Sequence, residues 1–233
     1  MEQIYEIPVN EAFEQSAADK SCGCPFCNLK KKLENDELDL ILGASMMEPD
    51  VREKTNVSGF CPSHYGMMMK HGKRLPLALI LESHLSEIDE NLGCGAFPAS
   101  SGASAEKYLG KMNTSCYLCD RVEYSFSRMI ETAALLWQNK PEFREKLLSQ
   151  PYFCLPHYER LLTAAKERLG KRGFGEFYKA VSELENGALE KLSGDVSWFV
   201  KKFDYRYADE PWNDAKDAIE RTMLFLNGTD SDK

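Results

Sequence analysis

Eight residues of the metal-ligand type recur in two sets with the same internal spacing. Cys24 and Cys27 are followed by Cys61 and His64, and Cys116 and Cys119 by Cys154 and His157. Gaps of 33 and 34 residues separate the two pairs of each set. Three thiolates and an imidazole are the donors of a closed, tetrahedral zinc site, and a two-residue gap lets both members of a pair face one ion. Taken in chain order, Cys24, Cys27, Cys61 and His64 form one site. Cys116, Cys119, Cys154 and His157 form the other, giving two zinc ions per chain.

Other chemistries fit less well. Iron–sulfur clusters usually take four cysteines. A catalytic zinc keeps an open position beside three protein ligands, whereas each set supplies four. A thioredoxin-like pair at Cys24 and Cys27 would need flanking strands, and a second Cys-x-x-His pair would have no part in it. Haem attachment needs histidine directly after the pair, where Asn28 and Asp120 stand.

The elements that must carry these ligands are helical. Val122, Phe126, Met129, Ile130, Ala133 and Trp137 recur at three- and four-residue steps and predict a helix that stops before Pro141. Phe143, Leu147 and Leu148 predict a short helix, and Leu155 to Leu169 a third, closed by Gly170. Phe174 to Phe199 carry a long apolar stripe. A last helix runs from Trp212 to Leu224, with Pro211 near its start and Gly228 past its end. Leu29, Leu33, Leu40 and Leu42 predict the corresponding first helix, broken by Gly43 and Pro49. Ile4, Ile7 and Val9 read as an extended lead-in, with Asn10 capping a short helix through Glu14.

Each ligand pair thus falls where a helix begins, at the positive end of its dipole, where thiolate is favoured over thiol. Asp50 to Lys54 mirror Glu142 to Lys146, and both stretches lead to an aromatic residue and cysteine, Phe60-Cys61 and Phe153-Cys154. This shared text predicts a duplication: two helical hairpins, each closed by its own site, plus C-terminal helices. The expected division is 1–92 for the lead-in and first repeat and 93–115 for a Gly/Ser-rich linker. The second repeat with the C-terminal helices takes 116–228, and 229–233 a tail.

The remaining chemistry-bearing residues have plainer readings. Cys22 is an inert spare thiol beside the first site, and Cys94 an exposed one in the linker. His71 and His84 are surface or satisfied core histidines. Met46, Met47 and Met67 to Met69 are core filler rather than thioether ligands. Arg52 and Arg144 are solvated helix positions. Trp198, Phe199, Phe203, Tyr205 and Tyr207 form an aromatic stripe packed in the core, with the interleaved Lys201, Lys202 and Arg206 exposed.

Residues 7–13, Cys24 to Cys27, Gly59 to His64, Cys116 to Cys119, Phe153 to His157 and Phe203 to Arg206 with Trp212 resemble an uncharacterised bacterial family of anaerobic Firmicutes such as clostridia. The resemblance covers most of the chain except about residues 93–115. It implies an all-α, duplicated, zinc-binding protein and implies no activity.

A net charge of −8, from 29 Lys and Arg against 37 Asp and Glu, argues against nucleic acid as a partner. The Glu-rich start carries no apolar signal segment, and no apolar run approaches the roughly 20 residues of a membrane span. Eight cysteines in a cytoplasmic chain point to metal or redox chemistry, not disulfides. No Walker loop, G-x-S-x-G elbow or H-E-x-x-H occurs, which argues against an enzyme. The expected function is a cytosolic zinc-stabilised scaffold for an unknown protein or small-molecule partner. The alternatives are a redox- or metal-responsive sensor and an iron–sulfur or metal-dependent enzyme.

Overall fold

The computed structural model describes residues 3–93 and 95–229, and the reading of Cys94 falls outside them, as does most of the expected tail. The fold is all-α, with no strand among the described residues. Eleven α-helices are described in chain order, with short 3-10 turns between some of them: α1 Glu6–Ala18, α2 Pro25–Ile41, α3 Pro49–Ser58, α4 Pro62–His71, α5 Arg74–Leu92, α6 Pro98–Asn113, α7 Tyr117–Asn139, α8 Pro141–Leu148, α9 Leu155–Arg168, α10 Gly170–Lys201 and α11 Ala218–Asn227. Proline opens α2, α3, α4, α6 and α8, where its missing N–H is one that no helix would use.

Tertiary contacts group the chain into two compact units. One comprises the residues up to Lys31 and from Phe126 onward, the other Lys32 to Ser125. The boundaries fall inside α2 and α7, so this division differs from the sequential one expected at residues 92 and 116.

The first unit has an aromatic centre. Phe13 of α1 lies 5.3 Å from Phe26, 5.0 Å from Phe143 and 6.0 Å from Phe153, ring centre to ring centre, and all four side chains are fully buried. Gln150 fastens α1 from the far side by donating to the Phe13 carbonyl at 2.8 Å. Lys146 of α8 reaches Asn10 at 2.7 Å and Glu14 at 2.6 Å. The second unit has an aliphatic centre of Leu38, Ile41, Leu42, Met68, Leu77, Ile80 and Leu118, with Phe60 beside them.

Three expectations are corrected. The lead-in is not extended: it turns through a short 3-10 segment into α1. Ile4 and Ile7 are exposed, while Val9, Ala12, Phe13 and Ser16 make the buried stripe of a helix. Asn10 lies inside α1, donating to the Glu6 carbonyl, so it caps nothing. The linker holds a helix, α6, because proline at its start and the alanines among its serines outweigh two glycines. None of its residues is buried.

The third correction concerns the end of α10. Lys202 is buried, its ammonium donating to the carbonyls of Tyr207, Ala208 and Glu210 at 2.7, 2.8 and 2.5 Å. Phe203 and Tyr205 are exposed instead. The turn after α10 gathers three carbonyls, of which, among the described residues, only that of Tyr207 also accepts a backbone N–H, from Glu210 at 3.2 Å, and one ammonium serves all three.

Phe13→Ala removes a ring that meets three others. We expect a loss of about 3–5 kcal/mol in urea unfolding, and a loss below about 1 kcal/mol would mean the aromatic centre does not organise the unit.

Candidate metal centres

Cysteine occupies the N-cap of all four ligand-bearing helices. The Cys24 carbonyl accepts from Asn28 N–H, that of Cys61 from Tyr65, that of Cys116 from Asp120 and that of Cys154 from Tyr158, at 3.4, 3.0, 3.1 and 2.8 Å. The backbones of Cys61 and Cys154 are extended, as an N-cap requires. The second ligand of each pair, Cys27, His64, Cys119 or His157, is three residues on. These are the two positions of a capping box, where side chains ordinarily satisfy the free N–H groups of a helix start. Here their sulfur and nitrogen atoms turn towards another helix start, although Cys116 Sγ also accepts from Cys119 N–H at 3.5 Å.

The partners are not those expected from chain order. Cys24 and Cys27 meet Cys154 and His157, and Cys61 and His64 meet Cys116 and Cys119. In each group all ligand atoms lie within 4.8 Å of one another. Each group belongs to one unit, the first to the unit with the aromatic centre, the second to Lys32 to Ser125. At 1.5 Å per residue, α7 is about 34 Å long and α8 about 12 Å. The Cys-x-x-His after α8 lies with Cys24 and Cys27 and not with Cys116 and Cys119.

The spacings fit a tetrahedron of sulfur and nitrogen about one ion. Bonds of about 2.3 Å to sulfur and 2.0–2.1 Å to nitrogen give edges of about 3.8 Å between sulfurs and about 3.6 Å from sulfur to nitrogen. In the first group Cys27 and Cys154 sulfurs are 3.6 Å apart, and His157 Nδ1 is 3.7, 3.5 and 3.1 Å from Cys24, Cys27 and Cys154. In the second, Cys61 and Cys119 sulfurs are 3.8 Å apart, and His64 Nδ1 is 3.2, 3.3 and 3.4 Å from Cys61, Cys116 and Cys119. None of these sulfurs is at the roughly 2.05 Å of a disulfide.

The crowding has an electrostatic consequence. Burial, then contact with Cys154 and Cys27, pushes the Cys24 thiol up. Hydrogen bonds from Cys154 and Cys24 push Cys27 strongly down. Cys154, although a hydrogen bond from Cys24 works the other way, is still pushed up to about 12 by Cys27 and burial. In the second group burial and Cys116 push Cys119 well up. Without a cation, each group tolerates few thiolates at once. A bound divalent ion reverses that preference.

Glycines let the chain enter each centre. Gly59 has φ +58°, and a Cβ there would stand 2.9 Å from Nε2 of His84. Its carbonyl accepts from Tyr117 N–H at 3.0 Å, joining the start of α7 to the approach to Cys61. Gly23, φ +69°, plays the same part ahead of Cys24, with the Tyr152 hydroxyl 2.9 Å from where its Cβ would be. Ser16 donates to its carbonyl at 2.6 Å.

The surroundings of the two histidines differ. Seven residues after Cys27, Glu34 is buried with its carboxylate 3.9 Å from His64 Nε2. Seven residues after Cys119, the corresponding Phe126 meets the His157 ring edge-on at 5.1 Å. All four ligands of the first group are buried, whereas Cys61 is half-buried and Cys119 exposed in the second. The spacing of Glu34 from Cys27, two helical turns, was legible in the sequence. Glu185 was not: it sits in a Glu-rich stretch of α10, yet it is buried and accepts from Phe153 N–H at 2.7 Å, fixing the residue before Cys154.

Of the other residues, Cys22 is exposed. His71 pairs with Asp39 at 3.0 Å, and buried His84 meets the Asn56 carbonyl at 2.6 Å, so neither joins a centre. Met68 is buried as filler, but Met47 and Met69 are exposed. Arg144 is not simply solvated. It donates to the carbonyls of Trp137 and Gln138 at the end of α7 and lies over the Trp137 ring.

Compared with known proteins, the chain matches DUF6062, a family of unknown function, over residues 1–233, and belongs to it. It is also 21% identical over 184 residues to an uncharacterised 23.9 kDa protein encoded in the xynA 3' region of Caldicellulosiruptor sp. (strain Rt8B.4), covering 78% of this chain and 83% of that protein. No solved structure matches. Among the described residues, no helix is long and apolar enough to cross a membrane.

Burial raises the Glu185 carboxyl to about 7, against the opposing hydrogen bond from Phe153. A raised acid binds its proton more tightly when folded, so its contribution to stability is full below about pH 4.5 and is lost as pH rises through 7. From pH 5 to 8 the native chain should lose roughly 1–2 kcal/mol more than Glu185→Gln. Urea unfolding at each pH reads this, and equal losses would reject it.

Proposed function

We propose that this chain is a zinc-stabilised helical scaffold, in which each Cys3His group holds one structural zinc ion. The observation that carries this reading is the fit of the sulfur–sulfur and sulfur–nitrogen separations to the edges of a zinc tetrahedron. Four ligands leave no open coordination position, which favours a structural over a catalytic ion. When bound, zinc supplies charge neutralisation for the thiolates and a clamp between two helix starts. The chain's own residues do the rest. Glu34 stands where it orients the His64 ring, and Glu185 and Gly23 set the backbone on either side of the first group. The reduced thiols suit a cytoplasmic setting. The role is that of an interaction protein whose surface, not its metal, meets the partner. The recurrence of CxxC, a Pro-led short helix and CxxH in one order supports an origin by duplication.

Metal analysis of anaerobically purified protein should find two zinc ions per chain and no visible absorbance, and iron with sulfide would reject the reading. Because Cys24 and Cys154 share a group, the double variant Cys24→Ser/Cys154→Ser should retain one zinc. Loss of both would restore the chain-order pairing.

A sensor is the second reading, favoured by the exposure of Cys119 and the partial exposure of Cys61. Oxidants reach an accessible thiolate first. With one equivalent of peroxide, zinc should leave the Cys61/His64/Cys116/Cys119 group before the other and return on adding thiol. Resistance of both groups would leave the purely structural role standing.

A further inference from the structure

A cleft of about 600 Å³ opens in the first unit, between the turn at Lys20, the turn after α8, the middle of α10 and the start of α11. It contains no ligand of either metal centre. In a chain of net charge −8, its wall carries four cations, Lys20, Lys191, Lys216 and Arg221, against the carboxylates Asp214 and Asp217. Both carboxylates are already engaged: Asp214 lies 3.0 Å from Lys191 Nζ, and Asp217 accepts from Arg221 Nε at 2.9 Å. Arg221 is held further by Asp195 at 2.9 Å and by the Asp214 carbonyl. Even counting Asp195, cations are in excess. Lys20 and Lys216 are exposed and have no ion-pair partner among the described residues.

Apolar groups also line it: Pro151, Ala188, Leu192 and the ring of Tyr152. Gln150 also lines the cleft. Its amide nitrogen donates to the carbonyls of Phe13 and Lys146 at 2.8 Å each, which sets which way the amide faces. The side-chain oxygen is left buried without a hydrogen-bond partner.

Spare positive charge and apolar lining in one cleft are features of a small-molecule site. We propose that this cleft binds a small organic anion, a carboxylate or phosphate on an apolar ring or chain. The anionic group sits at Lys20 and Lys216, and the apolar part lies against Tyr152 and Leu192. This site is independent of the metal assignment.

The dye 8-anilinonaphthalene-1-sulfonate combines an anion, aromatic rings and an N–H, and serves as the probe on the metal-loaded full chain. Fluorescence titration should show one site that weakens with added salt. The exposed-residue variant Lys20→Glu/Lys216→Glu should weaken it by roughly tenfold or more, while Lys70→Glu/Lys107→Glu, elsewhere on the surface, should leave it unchanged. Competition by benzoate and by phenyl phosphate then tells which acid the cleft prefers. Absence of dye binding, equal binding by both double variants, or displacement by neither competitor would overturn the proposal.

Discussion

Three thiols and an imidazole packed into a few ångströms, twice over, are the constraint on which the rest of this structure depends. Sulfur at the start of a helix is stabilised by the dipole and the free N–H groups. Three such sulfurs together repel one another as thiolates. The protein meets this by placing cysteine at the N-cap of four helices and directing those helices in pairs at a common point. Around each point the chain must turn sharply and without side-chain bulk, and it does so at Gly23 and Gly59. The buried polar residues nearby have the same purpose. Glu185 holds the backbone before Cys154, and Glu34 backs His64.

The two groups are alike in ligands and unlike in setting. One is sealed among Phe26, Phe126 and Phe153, in a unit whose core is aromatic. The other lies in an aliphatic unit with one sulfur open to solvent and a carboxylate behind its histidine. An apolar shell restricts access and slows exchange, whereas a carboxylate raises the basicity of the ring it touches. Matching ligand text therefore does not imply matching behaviour, and the difference arises from a single helical position, glutamate in α2 and phenylalanine in α7.

Several features were legible in the chain because they depend on local chemistry. The helical periods of Val122 to Trp137 and Phe174 to Phe199 appear as α7 and α10, and Gly228 ends α11 with a positive φ. The placing of each ligand pair at a helix start also holds. Other features were hidden by local appearance. Ile4, Ile7 and Val9 alternate like a strand, but Phe13 and Ser16 continue the stripe of a helix. A Gly/Ser-rich composition masked α6. Lys202, a surface residue by type, is buried because a turn eight residues long presents carbonyls to it.

By itself the sequence determined the donor atoms, their spacing within each pair and the helices that begin at them, since these depend on residues three or four apart. Which pair meets which was decided only by the tertiary structure. That outcome rests on approaches between residues 127 to 133 positions apart in one group and 52 to 58 in the other, separations over which no local pattern acts.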